Sequence, residues 1–111
     1  MVKDFEKFVR ECSYVKFNSK TEEHLYWGNA FAGEAGEVCN EIKKEVRDNL
    51  DKKEEIISEM GDVLFYVAAL LDSYDSNIYE AMIKQTKKLE TMMAKNGRFY
   101  PSEMFGIRKQ K

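Results

Sequence analysis

Apolar residues recur every three or four positions through most of the chain, and this is the spacing of α-helices with one buried face. The pattern predicts four helices, at about residues 2–14, 21–47, 52–73 and 78–96. Thr21 is predicted to cap the start of the second helix, and Asn96 with Gly97 to end the fourth. No segment alternates apolar and polar residues as a strand does. The predicted fold class is therefore all-α, and the short connections favour an antiparallel four-helix bundle.

The third predicted helix contains the longest apolar run, VLFYVAALL at residues 63–71. It is apolar on nearly every side, so we predict that it is the most buried helix of the bundle. Four helices of which one is almost wholly apolar leave more apolar surface than about 75 helical residues readily cover alone. We predict a single domain over residues 1–111, with a tail at 100–111, that is completed by forming a homodimer or homotetramer.

Composition limits the class of protein. The formal net charge of -2 gives no general electrostatic attraction to nucleic acid or to a membrane surface. The longest apolar run is far shorter than the roughly 20 residues that span a bilayer. Cys12 and Cys39 lack the spacing of a metal or redox motif, and the charged N-terminal segment is not typical of a signal peptide. We predict a cytoplasmic protein with reduced cysteines and with neither nucleic acid nor membrane as a partner.

Glutamates form a stripe on the second predicted helix, in the segment GEAGEVCNEIKKE. Like charges one turn apart cost a helix about 0.2–0.5 kcal/mol per pair. Gly33 and Gly36 each cost about 1 kcal/mol relative to alanine inside a helix. A further interaction must therefore offset these penalties. The stripe borders the apolar face of the helix and consists of Glu34, Glu37, Glu41 and Glu45.

A second carboxylate pair, Glu59 and Asp62, begins the apolar part of the third predicted helix, with Gly61 between them where a neighbour could approach closely. Antiparallel packing would aim this pair at the glutamates of the second helix. Converging carboxylates raise one another's pKa and repel unless a cation holds them together. An all-oxygen set favours Mg²⁺, with Mn²⁺ as a possible substitute. The alternative is a solvated acidic face with lysine partners.

A di-iron bundle is a poor alternative, because it is built on Glu-x-x-His pairs. His24 is the only histidine of the chain and lies outside any such pair. We interpret it as an ordinary helix residue.

The segments FAGEAGEVCNEIKKE and ISEMGDVLFYVAALL together resemble the MazG-type all-α nucleoside triphosphate pyrophosphohydrolases. That family's pattern is E-x-x-E followed by E-x-x-D, and the resemblance covers a motif core at about residues 25–99. The glycines and the apolar frame around the acids make it more specific than four acids alone. The resemblance implies an all-α dimer or dimer of dimers whose metal ligands are Glu34, Glu37, Glu59 and Asp62.

The activity implied by this resemblance is Mg²⁺-dependent hydrolysis of a nucleoside triphosphate to the monophosphate and pyrophosphate, in the service of nucleotide-pool house-cleaning. Bound cations would neutralise and orient the triphosphate and would lower the pKa of the attacking water. A carboxylate not fully engaged with metal would take the proton of that water, and Glu37 and Glu41 are the candidates. The alternative is a non-catalytic helical module that binds metal or nucleotide, or that serves only a structural role in an oligomer.

The fourth predicted helix departs in part from the family pattern N-x-x-K-L-x-x-R. Lys88 and Leu89 are kept, whereas Gln85 stands at the Asn position and Met92 at the Arg position. We predict that Gln85 and Lys88 contact the substrate. Arg98 is a candidate replacement for the missing arginine, with a surface role as the alternative.

Trp27 lies in line with the glutamate stripe and is a candidate for stacking on the nucleobase, with a place in the core as the alternative. The same two interpretations apply to the neighbouring aromatic residues Tyr26, Phe31 and Tyr66. Lys43 and Lys44 match a lysine pair that is common after the first motif of the family. They are predicted to project away from the carboxylate stripe of their own helix, so they would serve only across a subunit boundary or as a solvated pair.

Overall fold

The computed structural model describes residues 1–13 and 15–96, and for Asn96 the backbone alone. These residues form four helices and contain no β-strand, so the all-α prediction is confirmed. Tyr14, which was predicted to end the first helix, lies outside the described residues, as do Gly97, Arg98 and the tail at 100–111. The helices are α1 (Val2–Cys12), α2 (Lys20–Asp48), α3 (Lys53–Ser73) and α4 (Ile78–Asn96).

The chain divides into two compact units, Met1–Ile78 and Tyr79–Lys111. The first unit contains α1, α2 and α3, and all but the first residue of α4 belongs to the second. A single domain over residues 1–111 stays a prediction. None of the helices in the described ranges has both the length and the apolar character that crossing a bilayer requires.

The N-cap residue of helix α2 lies two residues before the predicted one. Ser19, and not Thr21, is the N-cap residue, because its Oγ accepts a hydrogen bond from the N–H of Glu22 at 3.1 Å. At the other end Asn49 has a left-handed backbone, with φ of 54°, and its N–H donates to the carbonyl of Glu45. Asparagine tolerates this conformation better than most residues, so it ends the helix and turns the chain toward α3.

Helices α2 and α3 form an antiparallel hairpin, as three contacts along its length show. Near its open end the Nδ1 atom of His24 lies 3.0 Å from Ser73 Oγ. In the middle the rings of Trp27 and Tyr66 have centroids 5.9 Å apart. At the turn Glu45 Oε2 accepts the backbone N–H of Lys52 at 2.9 Å, and this hydrogen bond caps α3.

His24 has a structural role at the open end of the hairpin. The Ser73 hydroxyl is buried and donates its hydrogen to the carbonyl of Leu70 at 2.6 Å. Since that hydrogen is used, His24 Nδ1–H must be the donor to Ser73 Oγ. The imidazole also stacks on Tyr74, with ring centroids 3.7 Å apart. These contacts tie the second turn of α2 to the C-terminal end of α3.

The core of the first unit lies where α3 contacts both α1 and α2. Its buried members are Val9, Trp27, Ala68 and Ala69, packed against partly buried aromatic and aliphatic side chains. The prediction of a central α3 is therefore correct around Ala68, but Leu64 is 50% exposed. The apolar face predicted for α2 also reaches the surface at its C-terminal end, where Val46 is 77% exposed.

Glu6 of α1 accepts a hydrogen bond from Ile78 within the first unit, and its removal is expected to destabilise the fold. Its side chain is buried (6% exposed), and Oε2 accepts the N–H of Ile78 at 2.9 Å. A hydrogen bond to a charged group contributes about 1.5–3 kcal/mol. We therefore expect Glu6→Ala to lower the free energy of unfolding by about 2 kcal/mol in urea titrations.

Two further variants separate the hydrogen bond from other effects. Glu6→Gln keeps an acceptor oxygen and should lose less stability than Glu6→Ala. Glu11→Ala removes an exposed carboxylate from the same helix and should leave stability within about 0.5 kcal/mol of the parent chain. Equal losses for Glu6→Ala and Glu11→Ala would show that the Ile78 hydrogen bond contributes nothing.

Candidate functional site

Three carboxylates converge across the α2–α3 hairpin. Glu34 comes from α2, while Glu59 and Asp62 come from α3, and one oxygen of each lies within 4.8 Å of the other two. Glu59 and Asp62 share one helix face because they are three residues apart. The antiparallel packing brings Glu34 opposite them. Glu34 and Glu59 are partly buried, and Asp62 is exposed. We call these three residues the acidic cluster.

Without a cation the acidic cluster is electrostatically unfavourable. The pKa of Glu59 is raised above its ordinary value, first by partial loss of hydration and then by the charge of Asp62, with further contributions from Glu34, Glu37 and Glu41. The pKa of Tyr66 is also raised, first by burial and then by the charge of Glu34. The site is therefore negative and favours a positive ligand.

The chemistry of the donors fits a hard divalent cation. The acidic cluster offers carboxylate oxygens alone, which are the ligands that Mg²⁺, Mn²⁺ and Ca²⁺ take in proteins. Neither sulfur nor imidazole belongs to the cluster, so its chemistry does not favour zinc. Glu37, the fourth predicted ligand, is exposed and lies outside the group of three, although its charge contributes to the raised pKa of Glu59.

The C-terminal half of the glutamate stripe is occupied with structural contacts. Glu41 Oε1 lies 3.5 Å from Lys44 Nζ, and its Oε2 lies 3.8 Å from Lys52 Nζ. That Oε2 atom is buried and has no hydrogen-bond partner among the described residues. Glu45 caps α3, as described above. The stripe is thus neither wholly a metal site nor wholly a solvated face: Glu34 belongs to the acidic cluster, and Glu41 and Glu45 stabilise the turn of the hairpin.

The position of Lys44 differs from the sequence-based expectation. We predicted that Lys43 and Lys44 project away from the carboxylate stripe, but Lys44 bends back to Glu41 three residues earlier on the same helix. Its flexible four-carbon side chain makes this possible. Lys52 adds a second ammonium group from the start of α3. Two ammonium groups therefore lie beside Glu41.

The glycines beside the acids have open space around them within the chain. An added Cβ atom at Gly33, Gly36 or Gly61 would meet no atom within 4 Å. The expected close neighbour at Gly61 is therefore not provided by α1, α2 or α3. These positions leave the surface around the acidic cluster accessible.

A cavity of about 410 Å³ opens beside the acidic cluster. Glu34, Gly61 and Asp62 line it together with aromatic residues of α1 and α3. Its volume falls in the range of about 300–1,000 Å³ that is typical of small-molecule sites. The sequence pattern of α1 does not indicate which part of α3 it contacts, so α1 was not predicted to line a site.

The residues predicted to contact the substrate lie in different parts of the chain. Trp27 is 5% exposed and belongs to the core, where Phe17, Tyr26 and Tyr66 surround its ring. A nucleobase cannot stack on it without displacing that packing, so we correct the prediction of Trp27 as a stacking residue in favour of the core interpretation. Gln85 and Lys88 lie on α4 in the second unit. Arg98 lies outside the described residues.

The all-α hairpin with a carboxylate cluster places the chain in the class of helical proteins suited to bind a divalent cation. A family model described as the MazG nucleotide pyrophosphohydrolase domain matches residues 22–101. The chain belongs to this family, and the resemblance stated from its acidic motifs is confirmed. The family is one of nucleoside triphosphate pyrophosphohydrolases, and it is typically metal-dependent.

Among curated proteins, the chain is similar to the protein named "Gene 37 protein" of Mycobacterium phage L5. The two are 33% identical over 64 residues, which cover 53% of this chain and 56% of the phage protein. The chain thus spans little more than half the length of the curated relative that it matches. No solved structure matches it.

Proposed function

We propose that the protein hydrolyses nucleoside or deoxynucleoside triphosphates to the monophosphate and pyrophosphate in a Mg²⁺-dependent reaction. The observation that carries this proposal is the convergence of Glu34, Glu59 and Asp62 within 4.8 Å across the α2–α3 hairpin. Membership of the MazG family supports the reaction type. The raised pKa of Glu59 supports a cation as the natural occupant of the site.

In this proposal Glu34, Glu59 and Asp62 hold Mg²⁺, Mn²⁺ can substitute for it, and Glu37 completes the set of acidic ligands. When bound, the ion supplies positive charge for the triphosphate and makes water easier to deprotonate. The chain's own carboxylates orient the site. The partial burial of Glu34 and Glu59 keeps the charges of the site from being fully screened by water.

A carboxylate must accept the proton of the attacking water, and Glu37 is our first candidate. It is exposed, and its charge acts on Glu59, so it lies near the acidic cluster without being one of the three closest residues. Glu41 is the second candidate. Its oxygens lie near the ammonium groups of Lys44 and Lys52, which makes it less available as a base.

Phosphate binding in this proposal also uses residues beyond the acidic cluster. Gln85 and Lys88 are proposed to contact the substrate on the strength of their positions in the family pattern of the fourth helix. Arg98 is proposed to replace the missing arginine of that pattern. The two free cysteines fit the reducing environment of the cytoplasm, where a nucleotide-pool house-cleaning enzyme would act.

We further propose that the protein is a homodimer or homotetramer. Three apolar side chains of α3 are about half exposed and form one stripe at helical spacing: Ile57, Met60 and Leu64. A second copy would cover this stripe.

Leu64→Asp is therefore expected to dissociate the oligomer. Losing a buried leucine costs about 1.5–3 kcal/mol, and a buried aspartate adds to that cost, so association should weaken by a hundredfold or so. Light scattering coupled to gel filtration at micromolar concentration measures the mass. Leu25→Asp changes an exposed leucine outside the stripe and should keep the mass of the parent chain. A parent chain that is already a monodisperse monomer would contradict the proposal.

A second candidate function is a module that binds metal or nucleotide without hydrolysis. Gln85 and Met92 favour it, because they replace the Asn and Arg of the family pattern.

An assay of pyrophosphate release separates the two functions. A panel of ribo- and deoxynucleoside triphosphates is incubated with Mg²⁺, with Mn²⁺ or with EDTA. We expect release with either metal ion and none with EDTA. Binding of a nucleotide without any product would support the binding module instead, and Gln85→Asn with Met92→Arg would then be the first variants to test for restored activity.

A further inference from the structure

We infer that helix α1 forms one wall of the nucleoside pocket, through Phe5, Phe8 and Cys12. This inference rests on the proposed function, because it assigns the part of the substrate that the acidic cluster does not bind. Helix α1 lies outside residues 22–101, the region that the family model matches. The assignment is thus carried by the geometry of this chain.

The cavity joins the acidic cluster to helix α1. Two members of the acidic cluster, Glu34 and Asp62, line the same 410 Å³ cavity as the three α1 residues. The aromatic residues Phe65 and Tyr66 line it from α3. A ligand held by its phosphates at a cation on the carboxylates would therefore have an aromatic space directly beside its phosphates.

Aromatic walls suit a nucleobase, because every base can stack on an aromatic side chain whatever hydrogen-bonding groups its edge carries. Phe65 and Tyr66 pack edge-to-face on each other, with centroids 5.1 Å apart, so the α3 wall is preformed. Phe8 is 64% exposed and so has a face available to a ligand. No other class of group attached to a triphosphate makes equal use of four aromatic side chains.

The cavity also predicts how the base is selected. Besides the carboxylates, the hydrogen-bonding side chains that line it are the Tyr66 hydroxyl and the Cys12 thiol. Strong rejection of a wrong base needs a site that hydrogen-bonds its edge, and an apolar pocket discriminates weakly. KM values for triphosphates that differ only in their base should therefore differ by less than about tenfold.

The two free cysteines provide a direct test. Cys12 lines the cavity, whereas Cys39 is exposed on α2 and does not line it. The rate of alkylation by iodoacetamide is followed at each cysteine by peptide mass spectrometry. The ligand is an α,β-imido nucleoside triphosphate with Mg²⁺, which cannot be cleaved between the α and β phosphates. Tripolyphosphate with Mg²⁺ serves as the ligand without a nucleoside.

At a ligand concentration ten times Kd, we expect alkylation of Cys12 to slow about tenfold and that of Cys39 to stay within twofold. Tripolyphosphate should protect Cys12 much less. Equal protection by the two ligands would overturn the inference, because the nucleoside would then not be what fills the cavity. Cys12 that stays fully reactive while the nucleotide binds would overturn it too.

A substitution gives an independent readout. Phe8→Ala removes one stacking ring, so we expect its KM to rise about tenfold while kcat stays within threefold of the parent value. Phe8→Tyr keeps a ring at this position and should restore KM. Leu25→Ala is the matched control, since Leu25 is 61% exposed and lies outside the cavity. An unchanged KM in Phe8→Ala would remove α1 from the pocket.

These outcomes separate the inference from the proposed function. Protection of Cys12 by a nucleotide that the protein never hydrolyses would support the pocket and refute the enzyme. Hydrolysis with an unprotected Cys12 would support the enzyme and refute the pocket. A protein that binds no nucleotide would refute both.

Discussion

Asp62→Asn is expected to lower kcat for triphosphate hydrolysis by about a thousandfold or more. The substitution keeps the shape of the side chain but removes the negative charge of one of the three clustered carboxylates. Charge stabilisation by a bound cation contributes several kcal/mol to such a reaction, and each 1.36 kcal/mol corresponds to about tenfold in rate. Steady-state kinetics at saturating Mg²⁺ measure the loss, and Glu59→Gln should behave in the same way.

The matched control for this prediction is Glu55→Gln. Glu55 lies on the same helix, one turn before Glu59, but it is exposed and outside the acidic cluster. We expect the kcat of Glu55→Gln to stay within about threefold of the kcat of the parent chain. If Asp62→Asn retained more than a tenth of the parent activity, the three clustered carboxylates would not be the site of the reaction.

Mg²⁺ is expected to stabilise the fold in a saturable way, and Asp62→Asn should abolish this effect. A ligand that binds only the folded state adds about 2.7 kcal/mol of stability at a hundred times its Kd. Thermal unfolding at increasing MgCl₂, followed by circular dichroism, should show Tm rising to a plateau. The control is KCl at equal ionic strength, which screens the carboxylates but does not bridge them. Equal effects of the two salts would indicate a solvated acidic face.

Without metal, the stability of the folded chain should fall as the pH rises through the pKa of Glu59. The raised pKa of Glu59 means that, between its ordinary value of 4.5 and its value in the folded chain, the folded state binds more protons than the unfolded state. In EDTA the contribution of Glu59 to stability is therefore complete below about pH 4.5 and is lost as the pH rises through its folded pKa. Glu59→Gln should remove this part of the pH dependence. If Glu59→Gln kept the same dependence of stability on pH, that dependence would arise from another group.

The stability of Asp62→Asn, measured without metal and with Mg²⁺, distinguishes a metal site from a chance cluster of acids. In the absence of metal, Asp62→Asn relieves the repulsion at Glu59 and should leave the chain equally stable or more stable. In the presence of Mg²⁺ the parent chain should be the more stable of the two. This reversal follows from a cation that bridges the carboxylates, and a solvated face does not produce it.

The helices could largely be predicted from the sequence, because their periodicity and end signals are local. The predicted bounds of α3 and α4 agree with the structure to within one residue. The start of α2 was missed because Thr21 and Ser19 both suit a cap, and only the hydrogen bond to Glu22 decides between them. The convergence of Glu34 with Glu59 and Asp62 could be anticipated from antiparallel packing alone.

Contacts between distant residues were harder to predict. Nothing in the sequence indicates that Lys52 approaches Glu41 or that Glu6 accepts the N–H of Ile78, since such pairings depend on how the helices pack. The placement of α1 beside Gly61 and Asp62 was missed for the same reason. Periodicity also cannot tell whether an apolar face is covered by the same chain or by another, and the exposed Val46 illustrates this.

The most direct test of the proposed reaction is ³¹P NMR of the products formed from the best substrate of the panel, with Mg²⁺ and with EDTA. We predict resonances of nucleoside monophosphate and pyrophosphate growing in equal amounts with Mg²⁺, and unchanged triphosphate with EDTA. Orthophosphate and diphosphate as products would mean that a different bond is cleaved. Intact triphosphate in both samples would contradict the assignment of the acidic cluster as a hydrolytic site.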